Sequence, residues 1–274
     1  MAGEWRDEAT GEAEPPGFDT SVAHVARVYD YWLGGRDNFA ADRIAAEQAK
    51  QAYPDIVFSV RANRAFLARA VRYLAGEAGI RQFLDIGTGI PTSNNTHEVA
   101  QSAAAECRVV YVDNDPIVLA HARALLVSSP HGVTNYLDSD LRDTRKILTG
   151  AARTLDFSRP IAIMLMAILQ HIDRADDPYA IVARLVEAVP PGSYLIISHP
   201  ASDIEAAAMG QMAQRLNQLM AEKVTFRGHD EVLRFFSGLE LVEPGLVRVQ
   251  QWRPDTEAEA TSPAALWGGV GRKP

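Results

Sequence analysis

The sequence predicts an α/β fold: a seven-stranded, mostly parallel sheet with helices on both faces and an antiparallel hairpin at its C-terminal end. Three observations lead there. Five apolar runs between residues 82 and 198 alternate with helical patterns, the succession expected of βαβ units. The first run, Gln82–Ile86, leads into the glycine turn Asp85-Ile-Gly-Thr-Gly89, and about two dozen residues later the second ends in another acid, Asp113. Two last apolar runs, Leu246–Trp252 and Ala265–Val270, bracket a polar, acidic stretch at 255–262 and read as a long-looped hairpin, which adds an antiparallel edge.

Taken in order, residues 1–17 are acidic and rich in Gly, Pro and Ala, a composition that predicts a disordered tail. Residues 18–54 hold a dense cluster, Val28-Tyr-Asp-Tyr-Trp-Leu-Gly-Gly-Arg-Asp-Asn-Phe39. It reads as a short helix, a Gly34-Gly35 turn and a second helix from about Ala40, together an N-terminal helical cap. The main domain then runs from 55 to 274. Its first helix, 55–75, sets Phe58, Ala62, Phe66, Ala70 and Tyr73 on one face and Arg61, Arg64, Arg69 and Arg72 around the rest, with Asp55 as its cap.

Strand one is Gln82–Ile86. The helix from about Thr96 has Asn95 as cap and Glu98 placed to complete a capping box. Strand two is Arg108–Val112, and Asp115-Pro116 starts the following helix, since proline suits the first helical position. Strand three is Val133–Leu137. Strand four, Pro160–Leu169, is an unbroken apolar run, as expected of a strand buried on both faces. Asp177-Pro178 starts a helix that Pro190-Pro191-Gly192 stops, and Ser193–Ser198 is strand five. Helices over 202–222, with Met209, Met212, Leu216 and Leu219 on the apolar side, and over 228–236 precede the hairpin.

The 274 residues suffice for one large α/β domain, and 47% hydrophobic content allows a substantial core. Net charge is −8, from 27 basic and 35 acidic residues, which argues against nucleic acid as the main partner. The single cysteine, Cys107, excludes an intramolecular disulfide and a Cys-rich metal site. The histidines lack a compact ligand spacing with carboxylates, so no metal is expected. No apolar run is long enough to span a membrane, and the N-terminus lacks a secretory pattern, so the expected location is cytoplasmic.

Glycines at 87 and 89 remove the Cβ atoms that would keep a ligand off the backbone. Asp85 ends a strand where open α/β sheets form their ligand crevice, and Asp113 has the spacing of a ribose-binding carboxylate. A nucleoside-containing ligand follows. Pro91 stands where a dinucleotide fingerprint expects its third glycine, which counts against a nicotinamide-dependent oxidoreductase.

Phe83-Leu-Asp-Ile-Gly-Thr-Gly89 resembles the first motif of class I S-adenosylmethionine-dependent methyltransferases, Val110-Tyr-Val-Asp-Asn-Asp115 the second and Asp138-Ser-Asp-Leu141 the third. Gly238–Leu246 is similar to the lead-in to their final hairpin. The Val28–Asp42 stretch and Asn94-Asn-Thr-His-Glu-Val-Ala-Gln101 resemble a narrower bacterial branch of S-adenosyl methyltransferase domains. The resemblance runs from about residue 55 to the C-terminus. It implies a Rossmann-like fold, S-adenosyl-L-methionine as cofactor and transfer of a methyl group to an O, N or C nucleophile. A non-catalytic S-adenosylmethionine-binding sensor or regulator is the alternative.

On that resemblance, Gly87 and Gly89 let the methionine part lie against the backbone, and Asp85 orients it. Asp113 accepts both ribose hydroxyls, Asn114 lines the adenine, and Asp140 takes the adenine amino hydrogens with Leu141 packed nearby. Asp115 is better explained as a helix cap, and Asp140 has the same alternative, capping a helix from Leu141. Asn63 and Arg64 reach the methionine carboxylate, unless the arginines of that helix form a solvated face. His171, after strand four, borders the methyl group as a general base, a substrate contact or a structural residue; His199, after strand five, is weighed in the same way. Tyr29, Tyr31, Trp32 and Asn38 belong to a cap that closes over the cofactor on the glycine pair, or to an arm that packs on the domain or on a second subunit, which allows a homodimer. The expected acceptor is a small molecule.

Overall fold

The computed structural model describes residues 19–125 and 129–274, with side chains at 121–125 set aside; the expectation for residues 1–17 lies outside the described residues. Strands β1 (Gln82–Ile86), β2 (Arg108–Asp113), β3 (Val133–Asp138), β4 (Ala162–Met166) and β5 (Tyr194–Pro200) run parallel in the order β3-β2-β1-β4-β5. Strand order reverses between β1 and β4, so their C-terminal ends border the crevice in which open α/β sheets bind ligands.

The sheet has eight strands where seven are expected. β6 (Glu240–Leu241) and β7 (Val247–Arg248) share one edge of β8 (Leu266–Arg272), whose other edge is antiparallel to β5. The predicted strand 246–252 therefore stops early, in a 3-10 turn at Val249–Gln251. The cause is Arg69, whose guanidinium takes the carbonyls of Val249 and Trp252 at 2.7 and 2.9 Å and withdraws them from strand pairing.

Helices α1 (Val25–Leu33), α2 (Ala40–Ala52) and α3 (Ile56–Gly76) precede the sheet. α4 (Thr96–Ala103), α5 (Pro116–Leu125), α6 (Thr144–Ala151) and α7 (Pro178–Glu187) are its crossovers. α8 (Ala206–Leu219) and α9 (His229–Leu233) follow β5, and α10 (Glu257–Ala260) occupies the stretch expected to be a plain loop. The caps behave as their chemistry requires. Asn95 N–H bonds Glu98 at 2.8 Å, Asp115 accepts from Ile117 N–H at 2.8 Å and Asp177 from Ala180 N–H at 3.2 Å. Asp55 precedes α3, but its side chain makes no cap bond. Phe58, expected on the apolar face, is exposed, and Arg69, expected outside, is buried.

Side chains alternate across the strands, as the period of two demands. Phe83, Val109, Met164 and Ile196 pack with Phe66, Leu74 and Trp252 on one face. Leu84, Val110, Ile163 and Ile197 pack with Leu185 and Ile147 on the other. A third cluster joins the N-terminal helices to α8: Val28, Trp32, Ala45, Ala49 and Tyr53 meet Met209, Met212 and Leu216.

Two polar devices hold α1 in place. Arg27 and Asp42, both buried, form an ion pair at 3.0 Å, and Asp42 also accepts from the His24 and Phe39 backbone N–H groups at 2.9 and 2.8 Å. Gly34 ends α1 in the left-handed conformation, φ 87°. At Gly35 the constraint is space, because a Cβ would lie 1.9 Å from Asp30 Oδ1. Asp30 cannot yield, since its Oδ2 accepts from Asp37 N–H at 3.0 Å and Asn38 Nδ2 at 2.9 Å. Gly35→Ala is expected to cost about 1–3 kcal/mol of stability through this overlap, read as a lowered melting temperature.

Candidate active site

The cleft opens where β1, β2 and β4 end, under α1 and beside the middle of α3. Its walls include Asp85, Gly87, Gly89, Asp113, Asn114, Asp140, Leu141, Asn63 and Arg64. The fold thus brings together all nine residues assigned from sequence to a nucleoside-containing ligand.

Each glycine has its own reason. Both have positive φ, 77° and 67°. A Cβ on Gly87 would lie 2.5 Å from Ile168, whereas one on Gly89 would meet nothing within 4 Å. Gly87 lets the turn pack against the segment after β4, and Gly89 leaves backbone open beside the cleft. The turn is tied to the second acid. Asp113 accepts from Gly89 N–H at 2.9 Å and from Asp115 N–H at 3.0 Å. Burial pushes the Asp113 carboxyl up, against the pull of these two N–H groups. Each carboxylate oxygen keeps a further lone pair for a ligand.

Asp85 is buried and accepts from Thr96 Oγ1 at 2.6 Å. Burial pushes its pKa to about 6, opposed by that bond and by the charge of Arg64, with the Asp113 charge adding to the rise. Thr96, which sequence reasoning takes only as a helix start, supports the site through that bond to Asp85. Asn63, buried on α3, donates from Nδ2 to Tyr29 Oη at 3.0 Å, and Tyr29 donates to the Val60 carbonyl at 3.2 Å. That chain fixes the amide orientation and leaves Asn63 Oδ1 as a buried acceptor without a hydrogen-bond partner among the described residues. Arg64 donates to the Ser93 and Asn94 carbonyls at 3.1 and 3.0 Å and so braces the loop after the glycine turn.

Asp140 is not a helix cap: α6 begins later, at Thr144, where Asp143 accepts from Lys146 N–H at 2.9 Å. Asp140 instead accepts from the Arg142 backbone N–H at 2.7 Å and the Arg142 side chain at 3.0 Å. Arg142 also reaches the His171 carbonyl at 3.1 Å, a link between the third and fourth strand ends with no signal in the sequence.

His171 lines the cleft and is buried. Burial lowers its pKa to about 4; the charges of His24 and Arg142 act in the same direction and the Lys223 backbone opposes them. Gln170 Nε2 donates to the Ala167 carbonyl at 2.6 Å and faces His171 Nε2 at 3.2 Å. Nε2 of His171 is therefore an acceptor, and the ring proton sits on Nδ1. A neutral imidazole whose lone pair is already engaged is poorly suited to take a proton.

Three residues assigned from sequence to the substrate or cap do not line the cavity. His199 is fully buried, with Nδ1 bonded to the Pro200 carbonyl at 2.9 Å and Nε2 facing Arg227 at 3.0 Å. Both nitrogens are engaged and burial lowers its pKa to about 3, so it is a structural residue. Tyr31 points its hydroxyl to Glu47 at 3.0 Å. Asn38 is turned onto Asp30 and serves the glycine turn. Tyr29 lines the cleft, and Trp32 lines an adjoining cavity with its indole N–H on the Ala46 carbonyl at 3.1 Å.

His24 enters the site unannounced by sequence. It lines the cleft just before α1 and meets Asp115 at 2.9 Å. Burial works against its charge, but the Asp115 bond and charge, with Glu222, outweigh it and raise the pKa. An ordinary helix-capping acid thus also fastens the N-terminal segment to the sheet side of the cleft.

The profile of the family described as S-adenosyl methyltransferase matches residues 11–274. A DUF574 family protein from Streptomyces avermitilis MA-4680 is 46% identical, across 93% of this chain and 99% of its own, with a TM-score of 0.90. A candidate methyltransferase from Thermobifida fusca YX is 43% identical, across 96% of this chain and 99% of its own, with a TM-score of 0.86. No curated protein matches the chain.

Proposed function

The chain belongs to the S-adenosyl methyltransferase family, and from that premise we propose that the cleft under α1 holds S-adenosyl-L-methionine for methylation of a small-molecule acceptor. The observation that carries this reading is a pair of acids on either side of a glycine turn with open space at Gly89: Asp85, buried, and Asp113, half-buried and bonded to the Gly89 N–H. The bound cofactor supplies an electrophilic methyl group. The chain supplies binding, alignment and exclusion of water.

The residues present fit that group. Asp113 offers acceptor oxygens to the ribose hydroxyls, with Asn114, Asp140 and Leu141 around the adenine. Asn63 Oδ1 and Asp85 are both acceptors, so they suit the ammonium better than the carboxylate. The carboxylate falls to Arg64, a donor. His171, neutral and with a proton on Nδ1, borders the acceptor as part of the cleft wall.

A small acceptor is supported by what the arginines of α3 do. Arg69 is buried on backbone carbonyls, Arg72 pairs with Asp255 at 3.0 Å and Arg64 braces the 93–94 loop. That leaves Arg61 exposed, and a single such arginine makes no basic track for a polymer, so binding of RNA or DNA that weakens steeply with salt would contradict the reading. No helix among the described residues is long and apolar enough to cross a membrane. The location we propose for the protein is the cytoplasm.

Calorimetry with S-adenosylhomocysteine tests the cofactor site, and pH adds a sharper criterion. Affinity is expected to be flat around neutral pH and to fall as pH drops through about 6, where Asp85 takes up a proton. The sign follows from the ligand: an ammonium binds the ionised carboxylate, so protonation opposes binding. Asp85→Asn should remove the inflection. An inflection that persists in this variant would take Asp85 out of the site.

A further inference from the structure

A second cavity of about 70 Å³ adjoins the cofactor cleft, and Val25, Tyr29, Ala167 and His171 form part of the wall of both. It lies between α1, α3 and α8. Its remaining wall is mostly apolar, with Met209, Met212, Leu216 and Met220 from the α8 side and Trp32 and Val60 from α1 and α3; Ser59, Tyr53 and Gln170 are its polar members. Among the described residues, no Asp, Glu, Lys or Arg lines it. A charged ligand would be buried there without a counter-charge, at heavy cost.

The polar atoms at the junction narrow the choice. Gln170 uses its Nε2 on Ala167 and His171, which leaves its Oε1 buried and without a partner among the described residues. His171 uses Nε2 on Gln170, and its protonated Nδ1 is met by the Lys223 backbone. One buried acceptor, Gln170 Oε1, thus stands unsatisfied at the junction. A hydroxyl can donate to it; a carboxylate, which only accepts, cannot.

We propose that this cavity receives the apolar body of an uncharged methyl acceptor whose hydroxyl donates to Gln170 Oε1, beside the wall shared with the cofactor cleft. The proposal rests on the cofactor reading of the first cleft. In the transfer, the acceptor oxygen forms a bond to the methyl carbon as the carbon–sulfur bond breaks. The bonding pair stays on sulfur, and the hydroxyl proton leaves to water. At about 70 Å³ the space is smaller than the roughly 150 Å³ apolar cavity that takes up benzene. A ring therefore enters by displacing methionine side chains, which have the rotatable bonds to yield.

The test uses the full chain loaded with S-adenosylhomocysteine, with phenol and cyclohexanol as neutral probes and benzoate and phenyl phosphate as charged ones. Binding is followed by calorimetry and ligand-observed NMR. The neutral hydroxyl compounds are expected to bind and the charged ones not. Met212→Phe, which fills the cavity from α8, should weaken the neutral probes by roughly tenfold or more and leave S-adenosylhomocysteine affinity unchanged. Met212→Ala, which enlarges the cavity, should admit 2-naphthol, a larger ring than the wild type accepts. A melting curve of each variant guards against unfolding. The proposal is overturned if no neutral probe binds, if benzoate or phenyl phosphate binds as well as phenol, or if both Met212 variants bind like the wild type. Failure of S-adenosylhomocysteine itself to bind would overturn the cofactor reading instead, and this inference with it.

Discussion

Asp113→Ala is expected to weaken S-adenosylhomocysteine binding by roughly a hundredfold or more. Two hydrogen bonds from ribose hydroxyls to a carboxylate contribute about 1.5–3 kcal/mol each, and each 1.4 kcal/mol is about tenfold in affinity. The variant loses more than ligand contacts, because Asp113 also holds the N–H groups of Gly89 and Asp115 at 2.9 and 3.0 Å. The glycine turn therefore loosens along with the site. Asp113→Asn separates the two effects: it keeps the shape but offers one acceptor atom where the carboxylate has two. It should fall between wild type and alanine. Calorimetry of the three proteins, with melting curves as controls, reads both parts. An Asp113→Ala protein that binds as the wild type does would remove this residue from the cofactor site.

Asp42→Ala is expected to produce the largest loss of stability among single surface-to-core polar changes in the N-terminal helices. It strands Arg27, whose side chain is 3% exposed, without its partner. Removal of one member of a buried ion pair costs about 3–5 kcal/mol. For a chain of this size that is a melting shift on the order of 6–10 °C. The variant also strips acceptors from the His24 and Phe39 N–H groups, so α1 and the start of α2 loosen together. Asp255→Ala is the control. Its pair with Arg72 is about half exposed on both sides, and such pairs contribute little, roughly 0–1 kcal/mol. If thermal denaturation shows equal effects for the two substitutions, the Arg27–Asp42 pair does not anchor α1.

The legible parts of this molecule were those that follow from local chemistry. The strand-turn-helix around Asp85 and Gly89, the caps at Asn95, Asp115 and Asp177, and the apolar run of β4 each depend on residues close in sequence. The hidden parts depend on partners far apart. Arg69 looks like a solvated arginine until the chain brings Val249 and Trp252, some 180 residues on, within reach of it. His199 has the same type of position as His171, yet Arg227 closes its second nitrogen. Tyr31 and Asn38 share a polar, aromatic segment with Tyr29, but Tyr31 sits on another side of α1 and Asn38 lies in the turn after it, bonded to Asp30; of the three, Tyr29 turns to the cleft. His24 lies outside every motif, yet it lines the cleft and is held there by Asp115.

The two cavities differ in who owns their walls. α1 gives Val25 and Tyr29 to both, while the α8 side chains Met209, Met212 and Leu216 touch the second alone. A change on α1 therefore alters two recognition tasks at once, and a change on α8 alters one. Under selection, the two helices should drift at different rates: α1 held by a shared reagent, α8 released to follow whichever compound each descendant comes to modify. Divergence within this lineage then has a natural address, and a library confined to α8 would search new acceptors without disturbing the common methyl donor.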